Sequence, residues 1–165
     1  MYRKSLGIAL MLVTCAFLVA QDTKPTKKGT DMTREATGTF EVKLTPQPLE
    51  HGEGDTTVGT MVIDKTLSGD LEGTSWGLMV SAVTQVKGSA GYVAMERITG
   101  KLHGREGSFV LQHSATMSGG GQSQDITVVP DSATGALKGL SGTFLIHIDK
   151  GAHAYTFTYS LPEGD

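Results

Sequence analysis

Apolar and polar side chains alternate along the chain from residue 36 onward, in short segments separated by glycine-containing turns. A period of two is typical of β-strands with one buried and one exposed face. Beyond the first 20 residues, no segment carries the 3.6-residue period of an amphipathic helix. The pattern predicts eight strands, near residues 37–45, 57–66, 69–82, 90–102, 107–118, 122–130, 138–149 and 153–161.

The connections between these predicted strands are short, which indicates that consecutive strands pair with one another. Closure of such a sheet removes its exposed edges, so we predict an all-β fold with a single eight-stranded antiparallel up-and-down β-barrel. An open sandwich is the alternative. The interior of an eight-stranded barrel is either filled by side chains or holds one small ligand.

The two ends of the chain have a different composition from the predicted barrel. Arg3 and Lys4 precede an apolar run that ends at Ala20, which is the layout of a secretory signal peptide. A permanent anchor would need roughly 20 apolar residues, so we predict no stable membrane span after cleavage and a periplasmic or secreted protein. The predicted domains are a signal peptide at 1–20, a flexible leader at 21–35, the β-barrel at 36–161 and a tail at 162–165.

Charge and cysteine content restrict the classes of partner. The formal net charge is −3, and loss of Arg3 and Lys4 with the signal peptide makes it −5. This balance argues against binding to nucleic acid, which clustered cations drive. The single cysteine, Cys15, lies in the predicted signal peptide, so the exported chain has no disulfide. No metal-ligand spacing is present, and we predict neither metal nor cofactor.

A histidine and a glutamate interrupt two apolar rows of the predicted barrel interior. His113 stands in a row of the fifth strand that otherwise contains Phe109, Leu111, Ala115 and Met117. Glu96 shares a face of the fourth strand with Tyr92, Ala94, Ile98 and Leu102. A connecting hairpin at 103–108 would place Ile98 opposite His113, which makes Glu96 and His113 diagonal neighbours within reach of each other.

Three roles are open for this pair. Glu96 and His113 could satisfy each other in the core, could orient a bound ligand, or could serve as catalytic acid and base. Tyr92, Tyr155 and Tyr159 could add phenolic donors to a ligand site. Trp76 could stack on a ligand or close a barrel end by packing.

Four segments in order resemble a known bacterial family. They are Gly38-Thr39-Phe40-Glu41-Val42, Gly88-Ser89-Ala90-Gly91-Tyr92-Val93-Ala94-Met95-Glu96-Arg97, Gly107-Ser108-Phe109-Val110-Leu111-Gln112-His113-Ser114 and Val128-Val129-Pro130-Asp131-Ser132. Together they resemble the bacterial domain of unknown function 3224 family, over about residues 36–161. The resemblance implies a barrel similar to those of allene oxide cyclase, avidin and the lipocalins, and it implies no activity, because a fold alone does not transfer function.

Three hypotheses for the function follow from these observations. The first is an exported barrel that binds a small, largely apolar molecule in its interior, with Tyr92, Glu96, His113, Trp76, Tyr155 and Tyr159 as candidate ligand-binding residues. The second is an isomerase or cyclase that uses Glu96 and His113 as acid and base. The third is a ligand-free structural or assembly barrel, and a homo-oligomer is compatible with all three. A void beside Glu96 and His113 would favour the first two.

Overall fold

The computed structural model describes residues 33–48 and 58–162. The predicted signal peptide and the predicted leader up to residue 32 lie outside the described residues. Within them, each of the eight predicted strands is present, and the strands form one closed antiparallel barrel in chain order. The strands are β1 (Arg34–Gln47), β2 (Val58–Gly69), β3 (Leu71–Val83), β4 (Ala90–Leu102), β5 (Arg105–Ser118), β6 (Gly121–Val128), β7 (Ser141–Asp149) and β8 (Ala152–Ser160).

Some strand ends differ from the predicted ones. β1 includes Arg34 and Glu35, which the sequence pattern assigns to the leader, and it continues through Pro46, which pairs with Met61. A proline is tolerated there because the position is near the end of the strand. A short 3₁₀-helix at Gly135–Leu137 precedes β7, so the seventh strand begins at residue 141 rather than 138. Its Leu137 is buried in the core.

The pairing of β4 with β5 differs in register from the predicted one. His103 and Gly104 both have positive φ angles and form a two-residue turn, with Leu102 opposite Arg105. This is the tight hairpin geometry that matches the twist of paired strands, and it is shorter than the predicted connection at 103–108. His113 therefore lies opposite Ala94 rather than Ile98. The shift is even, so both side chains stay on the inner face.

The barrel interior has two unlike ends. At one end, here called the packed end, aromatic rings stack on one another: Phe109 on Phe157 at 5.6 Å, Phe144 on Tyr155 at 5.1 Å and Phe157 on Tyr159 at 5.2 Å between ring centroids. The opposite end, here called the cavity end, contains a small buried cluster of Ile63, Met79 and Ala94. Phe144 and Phe157 lie opposite each other on β7 and β8, and both are buried in the core.

The barrel is most weakly closed between β6 and β7. Thr127 and Thr143 are the backbone partners of this joint, whereas β4 and β5 pair along their whole lengths. The side chain of Gln124 extends the joint, because its amide donates to the Ile146 carbonyl at 2.8 Å and accepts from the Ile146 N–H at 2.9 Å. The side chain of Gln124 thus takes the place of a pair of backbone hydrogen bonds between β6 and β7.

In the part of the chain that the structure describes, no helix is long and apolar enough to cross a membrane.

Candidate functional site

Four polar side chains meet inside the barrel, between the packed end and the cavity end. Lys65 Nζ on β2 lies 2.8 Å from Glu96 Oε2 on β4, and His113 Nε2 on β5 lies 3.0 Å from the same oxygen. Ser75 on β3 donates a hydrogen bond to Glu96 Oε1. All four residues are buried. We call them the polar cluster, and Glu96 is its centre.

The contact between His113 and Glu96 is short but poorly directed. No hydrogen bond of good geometry is formed by His113 Nε2 within the described structure, although Glu96 Oε2 is near. We therefore describe the contact as electrostatic and not as a linear hydrogen bond, since angle as well as distance sets hydrogen-bond strength. The predicted neighbour relationship of Glu96 and His113 is present, through a register different from the predicted one.

Glu96 is held in its charged form. Burial by itself would raise the pKa of this carboxyl, but the contact with His113 and the positive charge of Lys65 outweigh burial and lower the pKa from 4.5 to about 2. Glu96 is therefore a carboxylate at neutral pH, and it is unsuited to donate a proton there.

A cavity of about 300 Å³ occupies the cavity end of the barrel. Most of its lining is apolar, and all eight strands contribute to it. The lining residues are Phe40, Val42, Leu44, Met61, Ile63, Lys65, Met79, Ser81, Val83, Ala90, Gly91, Tyr92, His113, Met117, Gln122, Ile146, Ile148 and His153. Lys65 and His113 stand at its inner end, next to Glu96.

Among the sequence-predicted tyrosines, Tyr92 is the one that lines this cavity. Burial, and then the charge of Glu96, raise its pKa above the ordinary value of 10.0. Tyr155 and Tyr159 lie in the packed end instead. The Tyr155 hydroxyl accepts from the Leu71 N–H at 2.9 Å, and Tyr159 shares a hydrogen bond of 2.7 Å with His103 Nδ1.

Trp76 lies on the outer surface, 55% exposed, and does not line the cavity. The expectation that Trp76 packs across a barrel end is wrong, because the even-numbered residues of this part of β3 point outward. Trp76 belongs to an exposed apolar group on β3 and β4, here called the outer stripe, which comprises Trp76, Leu78, Val80, Val93 and Met95.

Sequence reasoning missed Lys65 and Ser75. The signal for Lys65 was present, since it stands between Ile63 and Leu67 in the inward row of β2, as His113 stands in the row of β5. Ser75 is a short polar residue in a glycine-rich row, and nothing in its own segment distinguishes it.

Within residues 33–48 and 58–162, no group of three or more His, Cys, Asp or Glu side chains could hold a metal ion. His51 lies outside these ranges.

Comparison with known proteins identifies the family. No curated protein matches the chain. The model of the family described as "Protein of unknown function (DUF3224)" matches residues 36–159. A crystal structure of a protein of unknown function from this family, from Shewanella oneidensis MR-1, is 48% identical, with a TM-score of 0.75, and the match covers 81% of this chain and all of that one. The chain with the polar cluster and the cavity therefore belongs to the DUF3224 family.

Proposed function

We propose that this protein binds a small, largely apolar molecule inside its barrel. The observation that carries the proposal is the cavity of about 300 Å³ at one end of a barrel whose other end is tightly packed. Ligand sites of proteins are concave, mainly apolar and supplied with a few convergent polar groups, and this volume is at the lower end of their range. Lys65, His113 and Tyr92 are such polar groups.

The polar cluster supports a site rather than a purely structural role for these residues. Burial of several charged groups is costly compared with apolar packing of the same volume. The packed end demonstrates that this sequence can fill its interior with aromatic side chains. A charged cluster beside the cavity is therefore better explained by contact with a ligand than by stability.

Native mass spectrometry of the protein purified from its own host tests this proposal. We expect a bound molecule that fits the cavity and is released on unfolding. When the molecule is added back to recombinant protein, the parent should bind it. Variants in which His113→Ala or Met79→Trp alters the cavity wall should not. Parent protein that carries no molecule and takes up none from a host extract would contradict the proposal.

An isomerase or cyclase activity is the second candidate, and the orientation of the polar cluster favours it in one respect. His113 lines the cavity, and Glu96 lies against His113 on the side away from the cavity. In this arrangement the carboxylate orients an imidazole base. Since Glu96 is ionised, the proton transfers would fall to His113. Conversion of the extracted ligand to an isomer of equal mass, abolished by His113→Gln, would support this activity.

Assembly through the outer stripe is compatible with either function, and a second copy of this chain is the occupant that we propose. Trp76 lies between Asp64 on β2 and Arg97 on β4, so its two flanks carry opposite charges. A two-fold axis at Trp76 would bring Asp64 of each copy to Arg97 of the other. Sedimentation should detect a dimer that Trp76→Ala dissociates, and a parent protein that stays monomeric would contradict it.

We also propose that the protein is exported, on the basis of the residues from Met1 to Ala20. The intact mass of the protein from its host should correspond to a chain that has lost this segment. A cytoplasmic chain that retains Met1 would contradict export.

A further inference from the structure

The polar cluster is asymmetric with respect to the cavity. Lys65 and His113 line the cavity, whereas Glu96 is fully buried and is not part of the lining. The cluster therefore meets the cavity through the side chains of Lys65 and His113, here called its nitrogen side. The carboxylate of Glu96, which balances their charge, lies behind them.

The nitrogen side has N–H donors that lack a hydrogen-bond acceptor among the described residues. An ammonium group carries three N–H donors, and among the described residues Lys65 Nζ has one hydrogen-bond acceptor, Glu96 Oε2. The ring of Phe40 lies 4.6 Å from Nζ and accounts for a second direction. His113 Nε2 lies 3.0 Å from the same Glu96 oxygen, but it has no well-directed acceptor among the described residues. Buried donors without acceptors are costly, so an acceptor placed here would be stabilised.

The described wall of the cavity contributes no acid. It contains no Asp or Glu, and its ionisable side chains are Lys65, Tyr92, His113 and His153. Its other polar side chains, Ser81 and Gln122, are neutral. An anion inside the cavity would therefore meet no carboxylate at the wall, and its nearest negative charge would be Glu96 on the far side of Lys65 and His113.

We infer that the ligand is an amphipathic anion, namely a monocarboxylic acid with an apolar body, whose carboxylate binds at Lys65 and His113. The apolar body would lie against Val42, Ile63, Met79 and Ile146, which line the same cavity. This inference rests on the proposed ligand-binding function. It adds the chemical class of the ligand and its orientation, with the head innermost.

Three probes with the same number of carbon atoms and different heads test the inference on the parent protein: octanoate, octanol and octylammonium. Calorimetric titration at neutral pH should give an affinity for octanoate roughly tenfold or more above that for octanol, because charge-assisted hydrogen bonds contribute more than neutral ones. Octylammonium should bind most weakly. Equal affinity for octanoate and octanol would overturn the acidic head while leaving apolar binding intact. If no probe binds, the proposed function and the inference both fail.

A double variant tests the role of Lys65. Lys65→Met alone leaves the buried carboxylate of Glu96 without its cationic partner and is expected to destabilise the barrel strongly, whereas Lys65→Met with Glu96→Gln removes both charges. In this double variant octanol should bind as in the parent, and the preference for octanoate should fall to threefold or less.

The matched control is Lys43→Met, which removes an exposed, outward-pointing lysine of β1. It should preserve the full preference for octanoate. A folded double variant that also preserves the full preference would overturn the assignment of Lys65 to the head group.

Discussion

Lys65 and Glu96 form a buried ion pair 2.8 Å long in the interior of the barrel, across the strands β2 and β4, which are not neighbours. The pair spans β3, whose Ser75 donates to the same carboxylate. Removal of one charge leaves the other buried without its ion-pair partner, while removal of both leaves two neutral side chains.

A double-mutant cycle should therefore be strongly non-additive. We expect Glu96→Gln or Lys65→Met to lower the free energy of unfolding by about 3–5 kcal/mol each, and the double variant to be destabilised by much less than their sum. Denaturant unfolding measures all three. For comparison, the exposed cross-strand neighbours Lys43 and Asp64 should give a coupling below about 1 kcal/mol. Additive effects at Lys65 and Glu96 would argue against the pair.

The stability of the barrel should depend on the ionisation of Glu96 in acid. Its folded-state pKa, about 2, is below the ordinary value of 4.5, so the ionised carboxylate stabilises the fold above pH 4.5 and this stabilisation is lost as the pH falls toward 2. At about 1.4 kcal/mol per pKa unit, the loss is roughly 3 kcal/mol. Unfolding measured from pH 6 to pH 2 should show it in the parent but not in Glu96→Gln. Parallel pH profiles of the two proteins would refute this assignment.

Two adjacent residues of β3 allow a matched test of the cavity. Met79 is buried and lines the cavity, whereas Val80 points outward and is 48% exposed. Met79→Trp should fill the cavity and abolish the fluorescence increase of the neutral apolar dye phenylnaphthylamine, while Val80→Trp should preserve it. Thermal melts establish that both variants are folded. Dye binding that survives Met79→Trp would place the dye elsewhere.

Two strand glycines should respond differently to the same substitution. A Cβ at Gly38 would collide with the Ser68 carbonyl oxygen and the Tyr155 ring, whereas a Cβ at Gly59 would meet nothing within 4 Å. Gly38→Ala should cost about 3 kcal/mol or more, because the backbone of β2 must move. Gly59→Ala should change the free energy of unfolding by less than about 1 kcal/mol. Thermal unfolding of the two variants is the measurement.

The joint between β6 and β7 should depend on Gln124. Gln124→Leu leaves the N–H and the carbonyl of Ile146 without their partners, at a cost of about 1–3 kcal/mol for each group that stays buried. Hydrogen exchange of the Ile146 amide should accelerate, with smaller changes at β4 and β5. Gln112→Leu, on the outer face of β5, is the control. An unchanged exchange rate at Ile146 would indicate that the backbone pairing suffices.

Much of the fold is predictable from the sequence because each strand has its own alternation and turn. The inner position of His113 follows from Phe109 and Leu111 before it and Ala115 after it. The exact register does not follow, because His103 and Gly104 form a turn of two residues where a longer one also suits the apolar pattern. Glu96 and His113 remain diagonal neighbours in both registers, on opposite diagonals.

The composition of the polar cluster is less predictable than its position. Lys65 is recognisable from its own row, but its meeting with Glu96 depends on two registers, that of β2 with β3 and that of β3 with β4. An error in either would separate the charges along the barrel axis. The outward direction of Trp76 follows from the alternation of β3, yet the preference of tryptophan for packed sites suggested the opposite.

The pairing of β1 with β8 has a consequence for how the protein is made. Every other joint of the barrel connects strands that follow one another in the chain, whereas Ala36 meets Phe157 across roughly 120 residues of sequence. This pairing closes the longest loop in the barrel and therefore has the largest cost in chain entropy. Both residues are completely buried. A ribosome-bound chain that lacks β8 is thus a meander with two exposed edges. An enclosed interior, and any molecule held in it, must await synthesis of the last strand.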